Sequence, residues 1–199
     1  MIKQVFKALR ITAILWFITA VIYPSLICAV GMLPFIGEKA TASIIYNLEN
    51  QPIGSSLIGQ VFTSDKYFQS RPSTIRYSQG KQAKPTGISG ASNFAPSNPK
   101  LVSRVVEKYS QFRDDNLQPP ADLIYTSASG LDPHISIRAA RLQLERVARS
   151  RNIEPDEIRG LVNKSTDGRF LGIFGEPGVN VLKLNYNLDL YDFNRQQNK

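Results

Sequence analysis

The longest pattern along the chain is an absence of charge. No charged residue occurs from Ile11 to Gly37, and "ITAILWFITAVIYPSLICAVGML" (Ile11–Leu33) is a 23-residue apolar run. A helix rising about 1.5 Å per residue extends about 34 Å over that length, enough to cross a hydrocarbon core of about 30 Å. A cleaved secretory signal is the rival reading, but its apolar region is typically about 7–15 residues, so the length favours a retained anchor. Pro24 lies inside the span. It removes one backbone donor and is expected to kink the helix, with neighbouring membrane helices compensating.

Beyond the span the periods alternate. Residues 38–51 ("EKATASIIYNLENQ") are expected to continue as a helical connector, ended by Pro52. "GSSLIGQVF" (Gly54–Phe62) reads as a strand. Residues 67–96 are rich in Ser, Gly, Pro, Gln and Asn without a period, a long polar loop of the kind that is functional or disordered in compact domains. "SNPKLVSRVVEKYSQFRDDN" is a helix with Asn98 as N-cap and Pro99 at its first position. "ADLIYTSAS" fits a short strand. Asp132-Pro133 reads as the start of a helix through "HISIRAARLQLERVARSRN", with Ile137, Ala140, Leu144, Val147 and Ala148 on one face. A second helix starts at Pro155, with Ile153 and Ile158 at the two positions of a hydrophobic staple. In "VLKLNYNLDL" the apolar residues alternate with polar ones, the pattern of a half-buried strand. The expected fold class is a single N-terminal transmembrane helix followed by an α/β (α+β) extracytoplasmic domain.

Charge sets the orientation. The net charge is +8; Lys3, Lys7 and Arg10 place +3 in the first ten residues, and the remainder carries the other five. A basic end before a span stays in the cytoplasm. Residues 1–10 are therefore expected in the cytoplasm, 11–33 in the plasma membrane among lipid, and 34–199 outside. The charges of the outer part are interspersed rather than gathered into a basic patch, which excludes nucleic acid as a partner. One cysteine (Cys28) and one histidine (His134) exclude an intrachain disulfide and make a protein zinc site improbable.

Two stretches invite a chemical reading. "TSASGLDPHIS" (Thr126–Ser136) gathers Ser127, Ser129, Asp132 and His134, but triad members converge from separate elements and there is no G-x-S-x-G elbow. Ser129, Asp132 and His134 are assigned instead to a helix cap or contact surface, and no residue is assigned to catalysis or to a metal. "GISGASN" (Gly87–Asn93) could present backbone N–H groups to a phosphate, yet no G-x-x-x-x-G-K-[ST] occurs and an ordinary loop accounts for it.

Seven segments in register carry a family resemblance: Tyr23-Pro24, "GSSLIGQVF" (54–62), "YFQSRPS" (67–73), "SGASN" with "PSNP" (89–99), "TSASGLDPHIS" (126–136), "RVARSRN" (146–152) and "VNVLKLNYNLD" (179–189). Together they resemble the KdpC family, the small C subunits of the Kdp potassium-transporting P-type ATPase of prokaryotes, over nearly the whole chain. The resemblance implies a non-catalytic accessory subunit with one membrane helix, whose partners are a potassium-channel-like subunit and an ATP-hydrolysing subunit. It implies a catalytic chaperone that raises ATP affinity, with Ser89, Gly90, Ala91, Ser92 and Asn93 as a nucleotide-binding loop, while ATP and potassium are handled by the complex and no cofactor is assigned to this chain. Ala91 stands where glycine is common in the family and Tyr125 where threonine is common; a methyl at position 91 narrows the access a phosphate needs. Assembly and stabilisation therefore rank above direct ATP contact. The alternative class is a membrane-anchored extracytoplasmic hydrolase.

Overall fold

A computed structural model describes residues 1–40, 42–80, 87–112 and 118–197. Residue 41 of the expected connector, residues 81–86 of the expected polar loop, residues 113–117 and the last two residues lie outside the described residues. The chain divides into two units, Met1–Ile44 and Ile45–Lys199.

In the first unit, α1 (Ile2–Phe17), a π-turn (Ile18–Ile22) and α2 (Tyr23–Gly31) run on as one helical segment of 30 residues with a mean hydropathy of 2.2 in its most apolar stretch. None of that stretch is buried among the described residues. Pro24 sits directly after the π-turn, where Tyr23 N–H reaches back five residues to Ile18 O. A proline supplies no N–H to the turn before it, and widening that turn is one way a helix passes it. The Thr19 hydroxyl donates to Leu15 O at 2.8 Å, another bond in the same turn. A short helix, α3 (Pro34–Ala40), follows.

A two-stranded sheet of β1 (Ile44–Tyr46) and β2 (Pro52–Ser55) comes next. Helix α4 (Pro99–Ser110) starts where Asn98 accepts a hydrogen bond from Lys100 N–H at 2.9 Å. Then come α5 (Ala121–Ile124), β3 (His134–Ile135), α6 (Ile137–Arg151), α7 (Pro155–Lys164), β4 (Thr166–Asp167), β5 (Gly178–Asn180) and α8 (Val181–Gln197). The sheet is antiparallel in the order β3-β5-β4, with Ile135 and Thr166 both opposite Val179. α6 and α8 pack on β5, and α7 packs on both helices. The core is Phe68, Leu123, Ile135, Val179 and the inward faces of the three helices: Ala140, Leu144 and Val147, then Ile158 and Val162, then Val181, Leu184 and Leu188. Ile153 and Ile158 are both buried at the two staple positions of α7.

Four smaller expectations fail, two to strand pairing and two to local turns. The connector 38–51 is not one helix: α3 ends at Ala40, and Ile44–Tyr46 pairs as a strand. In 54–62 only Gly54 and Ser55 are strand; a turn follows, with Leu57 N–H bonded to Ser55 Oγ. "ADLI" is a helical turn behind Pro120, whose fixed φ suits a helix start. Asp132 is not the cap of α6. His134 and Ile135 pair with β5, so the helix starts four residues later, where Ser136 accepts from Ala139 N–H at 3.0 Å.

The largest correction is "VLKLNYNLDL", which is the start of α8 rather than a strand. Five of its positions are buried; with Leu182 set aside, Val181, Leu184, Asn185 and Leu188 follow helical spacing, and one of these four is polar. That Asn185 hides the helical stripe and leaves the alternating leucines to mimic a strand. Asn180 caps the helix through Lys183 N–H at 3.1 Å.

Asn185 is polar because of what it faces. Residues 65–69, a turn that passes into irregular backbone, lie beside α6 and α8, and side chains bind their backbone. Asn185 accepts from Phe68 N–H at 2.9 Å and donates to Phe68 O at 3.0 Å. Gln143 does the same for Gln69, at 2.8 and 3.1 Å. Arg146 donates to Asp65 O and Tyr67 O, and Arg151 to Lys66 O. Arg151 is 4% exposed, lies 4.8 Å from the centre of the Tyr67 ring, and pairs with Asp189 and Asp192.

Asn185→Ala would strand the N–H and C=O of a buried Phe68, and two unpaired buried groups cost about 2–5 kcal/mol. Chemical unfolding of the full chain should show a loss in that range. Lys183→Ala, which removes an exposed ion pair with Asp167, should lose no more than about 1 kcal/mol.

Candidate functional site

The clamped segment leads straight into a second junction. Downstream of Gln69, Ser73 Oγ donates to Gly130 O at 2.8 Å, and Ser127 N–H donates to Pro72 O at 2.9 Å. From the far side of the polar loop, Gly90 N–H and Ser89 Oγ both donate to Ser129 O, at 2.8 and 3.0 Å. Gly59 N–H donates to Leu131 O. Three stretches distant in sequence thus meet on 127–132. The approach is close: a Cβ on Gly130 (φ +69°) would lie 2.6 Å from Gly90 O and 2.6 Å from Ile75 Cγ1.

A left-handed turn sits beside the junction. Arg76, Tyr77 and Ser78 have φ of 50°, 55° and 57°, values rare for residues with a side chain. The turn is held from several sides. Tyr77 OH donates to Arg71 O at 2.6 Å, Tyr77 N–H donates to Ser73 Oγ, and Ser78 Oγ accepts from Ile88 N–H. Burial pushes the Tyr77 phenol up to about 12, so it stays a neutral donor.

The serines that suggested a nucleophile are engaged in the local turn. Ser127 is 1% exposed, its Oγ accepts from Gly130 N–H, and Ser129 Oγ accepts from Leu131 N–H. Asp132 Oδ2 pairs with Arg71 at 2.8 Å, and its Oδ1 accepts from His134 N–H at 3.0 Å. His134 Nε2 lies 2.8 Å from Asp167 Oδ2, and its Nδ1 lies 3.7 Å from Asp132 Oδ1, an ion-pair distance rather than a hydrogen bond. Lys183 closes the group on Asp167 at 3.2 Å. The imidazole beside Asp132, with help from its own N–H and Arg71, outweighs burial and lowers the Asp132 carboxyl to about 2. Asp132 and then Asp167 raise the pKa of His134 against its partial burial. Burial opposes ionisation of Asp167, but His134 and Lys183 outweigh it and its pKa falls. The result is a charged latch joining β3, β4 and α8.

Of the five small-loop residues, Ser89 and Gly90 dock on Ser129. Ser92 Oγ accepts from Arg104 Nη2 at 3.3 Å, and Asn93 turns the chain at φ 52°. Next to the left-handed turn, a cleft of about 400 Å³ has Arg71, Arg76 and Lys108 in its lining beside Phe62, Phe112 and Leu123. Asp167 and the left-handed turn were not legible in sequence. Asp167 lies 33 residues from His134 with no motif around it, and no glycine marks 76–78.

One apolar helix of membrane-crossing length and a small α+β unit, braced by polar junctions, define the class of chain. A family model described as "KdpC: K+-transporting ATPase, c chain" matches residues 5–190. The chain is 65% identical over 197 residues to "Potassium-transporting ATPase KdpC subunit 2" of a Nostoc species, covering 99% of this chain and 98% of the relative. It is 63% identical over 201 residues to the KdpC subunit of an Anabaena species (100% and 99% covered), and 39% identical over 182 residues to that of Bacillus cereus (89% and 90%). The chain belongs to the KdpC family, and with it to the potassium-transporting ATPases.

Gly130→Ala combines a positive φ with two contacts at 2.6 Å, and should destabilise the chain by more than about 1 kcal/mol. Gly80→Ala, also at positive φ but in open space, should cost less in the same unfolding assay.

The latch predicts a pH profile. A raised His134 pKa stabilises fully below the ordinary value of 6.5, and that contribution is lost as pH rises through the higher folded value. A lowered Asp132 pKa stabilises above the ordinary 3.8 and is lost as pH falls towards about 2. Both contributions are present between these limits. His134→Ala should flatten the alkaline slope of unfolding stability measured from pH 5 to 9.

Proposed function

We propose that the chain is a non-catalytic accessory subunit of an ATP-driven potassium uptake complex, holding a channel-like and an ATP-hydrolysing subunit together. In this reading residues 11–33 cross the plasma membrane with the N-terminus in the cytoplasm, and residues 34–199 lie outside. The observation that carries it is the state of the polar groups. Ser127 and Ser129 are bound into a turn and His134 is held between two carboxylates, so the stretch with the strongest enzymatic look is a brace. The names of the relatives support the complex. The bare surface of the Ile2–Gly31 helix supports membrane partners, since a proline-interrupted span in lipid gains from helices that satisfy its backbone.

The small loop supports assembly over nucleotide binding. Gly90 N–H, a donor that a phosphate would need, points at Ser129 O. The charge rule also puts this loop on the side of the membrane away from ATP. The raised ATP affinity described for the family would then arise from assembly rather than from contact with Ser89–Asn93.

Two measurements test this. A reporter that is active only in the cytoplasm should be silent when fused after Lys199; activity there overturns the orientation. The full chain should co-purify from mild detergent with both other subunits. Removing residues 1–37, with export restored by a cleavable signal, should cut recovery at least about tenfold, because two tethered contacts reinforce each other through effective concentration. Full potassium-dependent ATPase activity with the truncated chain at low concentration would reduce the helix to a simple tether.

A further inference from the structure

The link between β4 and β5 carries "RFLGIFG" (Arg169–Gly175), and every residue from Asp167 to Pro177 is exposed. Phe170, Leu171, Ile173 and Phe174 are 72%, 74%, 72% and 62% exposed, so none of them contributes to the core. The tip is nevertheless ordered by its own bonds. Phe170 and Phe174 exchange backbone hydrogen bonds at 2.8 and 2.9 Å, and Gly172 N–H reaches Arg169 O at 3.1 Å. Leu171 takes φ 52°, uncommon for a leucine, and Gly172 follows at φ +74°. Four large apolar side chains without a charge among them, projecting from a small hairpin, form a patch that a soluble surface rarely leaves uncovered.

We propose that this hairpin is a docking knob that seats in an apolar socket on another protein subunit of the ATPase complex. The inference rests on the accessory-subunit reading and names the element through which the second unit makes its contact. Charge selects protein over lipid. Elements that insert at a lipid surface set cations against the headgroups, whereas Arg169 here is matched by Glu176, and Lys183 is paired with Asp167. A neutral, polar base around an aromatic and aliphatic tip is the anatomy of a protein interface, with a few buried anchors inside a polar rim. Shape argues against a second copy of this chain. Two convex knobs bury little against each other, and the cleft beside Tyr77 sets Arg71, Arg76 and Lys108 among its apolar lining, so it is not a purely apolar socket.

The test uses the full chain co-expressed with the other subunits. The triple change Phe170→Ser, Ile173→Ser and Phe174→Ser should lower recovery of the partner subunits from mild detergent at least about tenfold, as loss of interface anchors does. Its thermal transition should stay within about 2 °C of the parent, since no core contact is removed. A photoreactive benzophenone side chain at position 173, in an otherwise unchanged chain, should form an adduct with one of the other subunits, and this arm does not depend on the folding of the triple variant. Adducts to lipid only, adducts to a second copy only, or no adduct would overturn the proposal, as would unchanged recovery of partners with the triple variant. If the parent chain itself recovers no partner, the accessory-subunit reading fails; if it does and the hairpin changes are silent, only the docking knob fails.

Discussion

The second unit depends on a backbone segment that has no strand partner. Residues 65–69 leave a turn as irregular backbone, and their N–H and C=O groups need partners wherever water is excluded. α6 supplies Gln143, Arg146 and Arg151, and α8 supplies Asn185. These side chains supply the hydrogen bonds that regular secondary structure would otherwise give. The clamp couples three distant parts of the chain, and it fixes residue types that hydrophobic patterning cannot explain. An asparagine lies at a core position of α8, and a nearly buried arginine at the end of α6 stacks on Tyr67 between two aspartates.

From the clamp the chain passes directly into the junction on 127–132. Pro72 O, Ser73 Oγ, Gly90 N–H and Gly59 N–H all meet that short turn, and the left-handed turn at 76–78 sits against it. A backbone in an uncommon conformation persists only when its surroundings over-determine it, and here Tyr77 is fixed through its ring, its hydroxyl and its N–H. Such an arrangement gives stiffness. It holds the polar loop on the domain and aims the latch of Asp132, His134 and Asp167 at the β3–β5–β4 sheet. Stiffness suits a subunit whose part in a potassium-transporting ATPase is accessory, because a rigid body presents its contact surfaces without paying for their ordering on binding.

Much of the architecture was legible along the sequence. The apolar run from Ile11 predicted a membrane-length helix. Asn98-Pro99 marked the start of α4, and Ile153 with Ile158 marked α7 as a helix. The largest failure has a plain cause. Periodicity assigns a residue from the polarity of its side chain, and the second unit places polar side chains inside. Asn185 broke the helical stripe of α8. Asp132-Pro133 looked like a helix start because an Asx turn and an N-cap use the same carboxylate-to-N–H bond, here with His134 N–H. In "TSASGLDPHIS", the serines and the histidine carried the look of chemistry although their partners are the local turn, Asp132 and Asp167.

The sequence by itself determined what local physics controls: an uncharged apolar span long enough for a membrane-crossing helix, the caps and staples that start individual helices, and a set of motifs specific enough to imply the family. The tertiary structure alone decided that 65–69 is held by side chains, that Ser89 and Gly90 dock on Ser129, that His134 sits in a strand between two aspartates, and that "FLGIF" stands clear of the core. Each of these depends on partners tens of residues away, and hydrogen bonding and burial act between neighbours in space, which the order of residues does not specify.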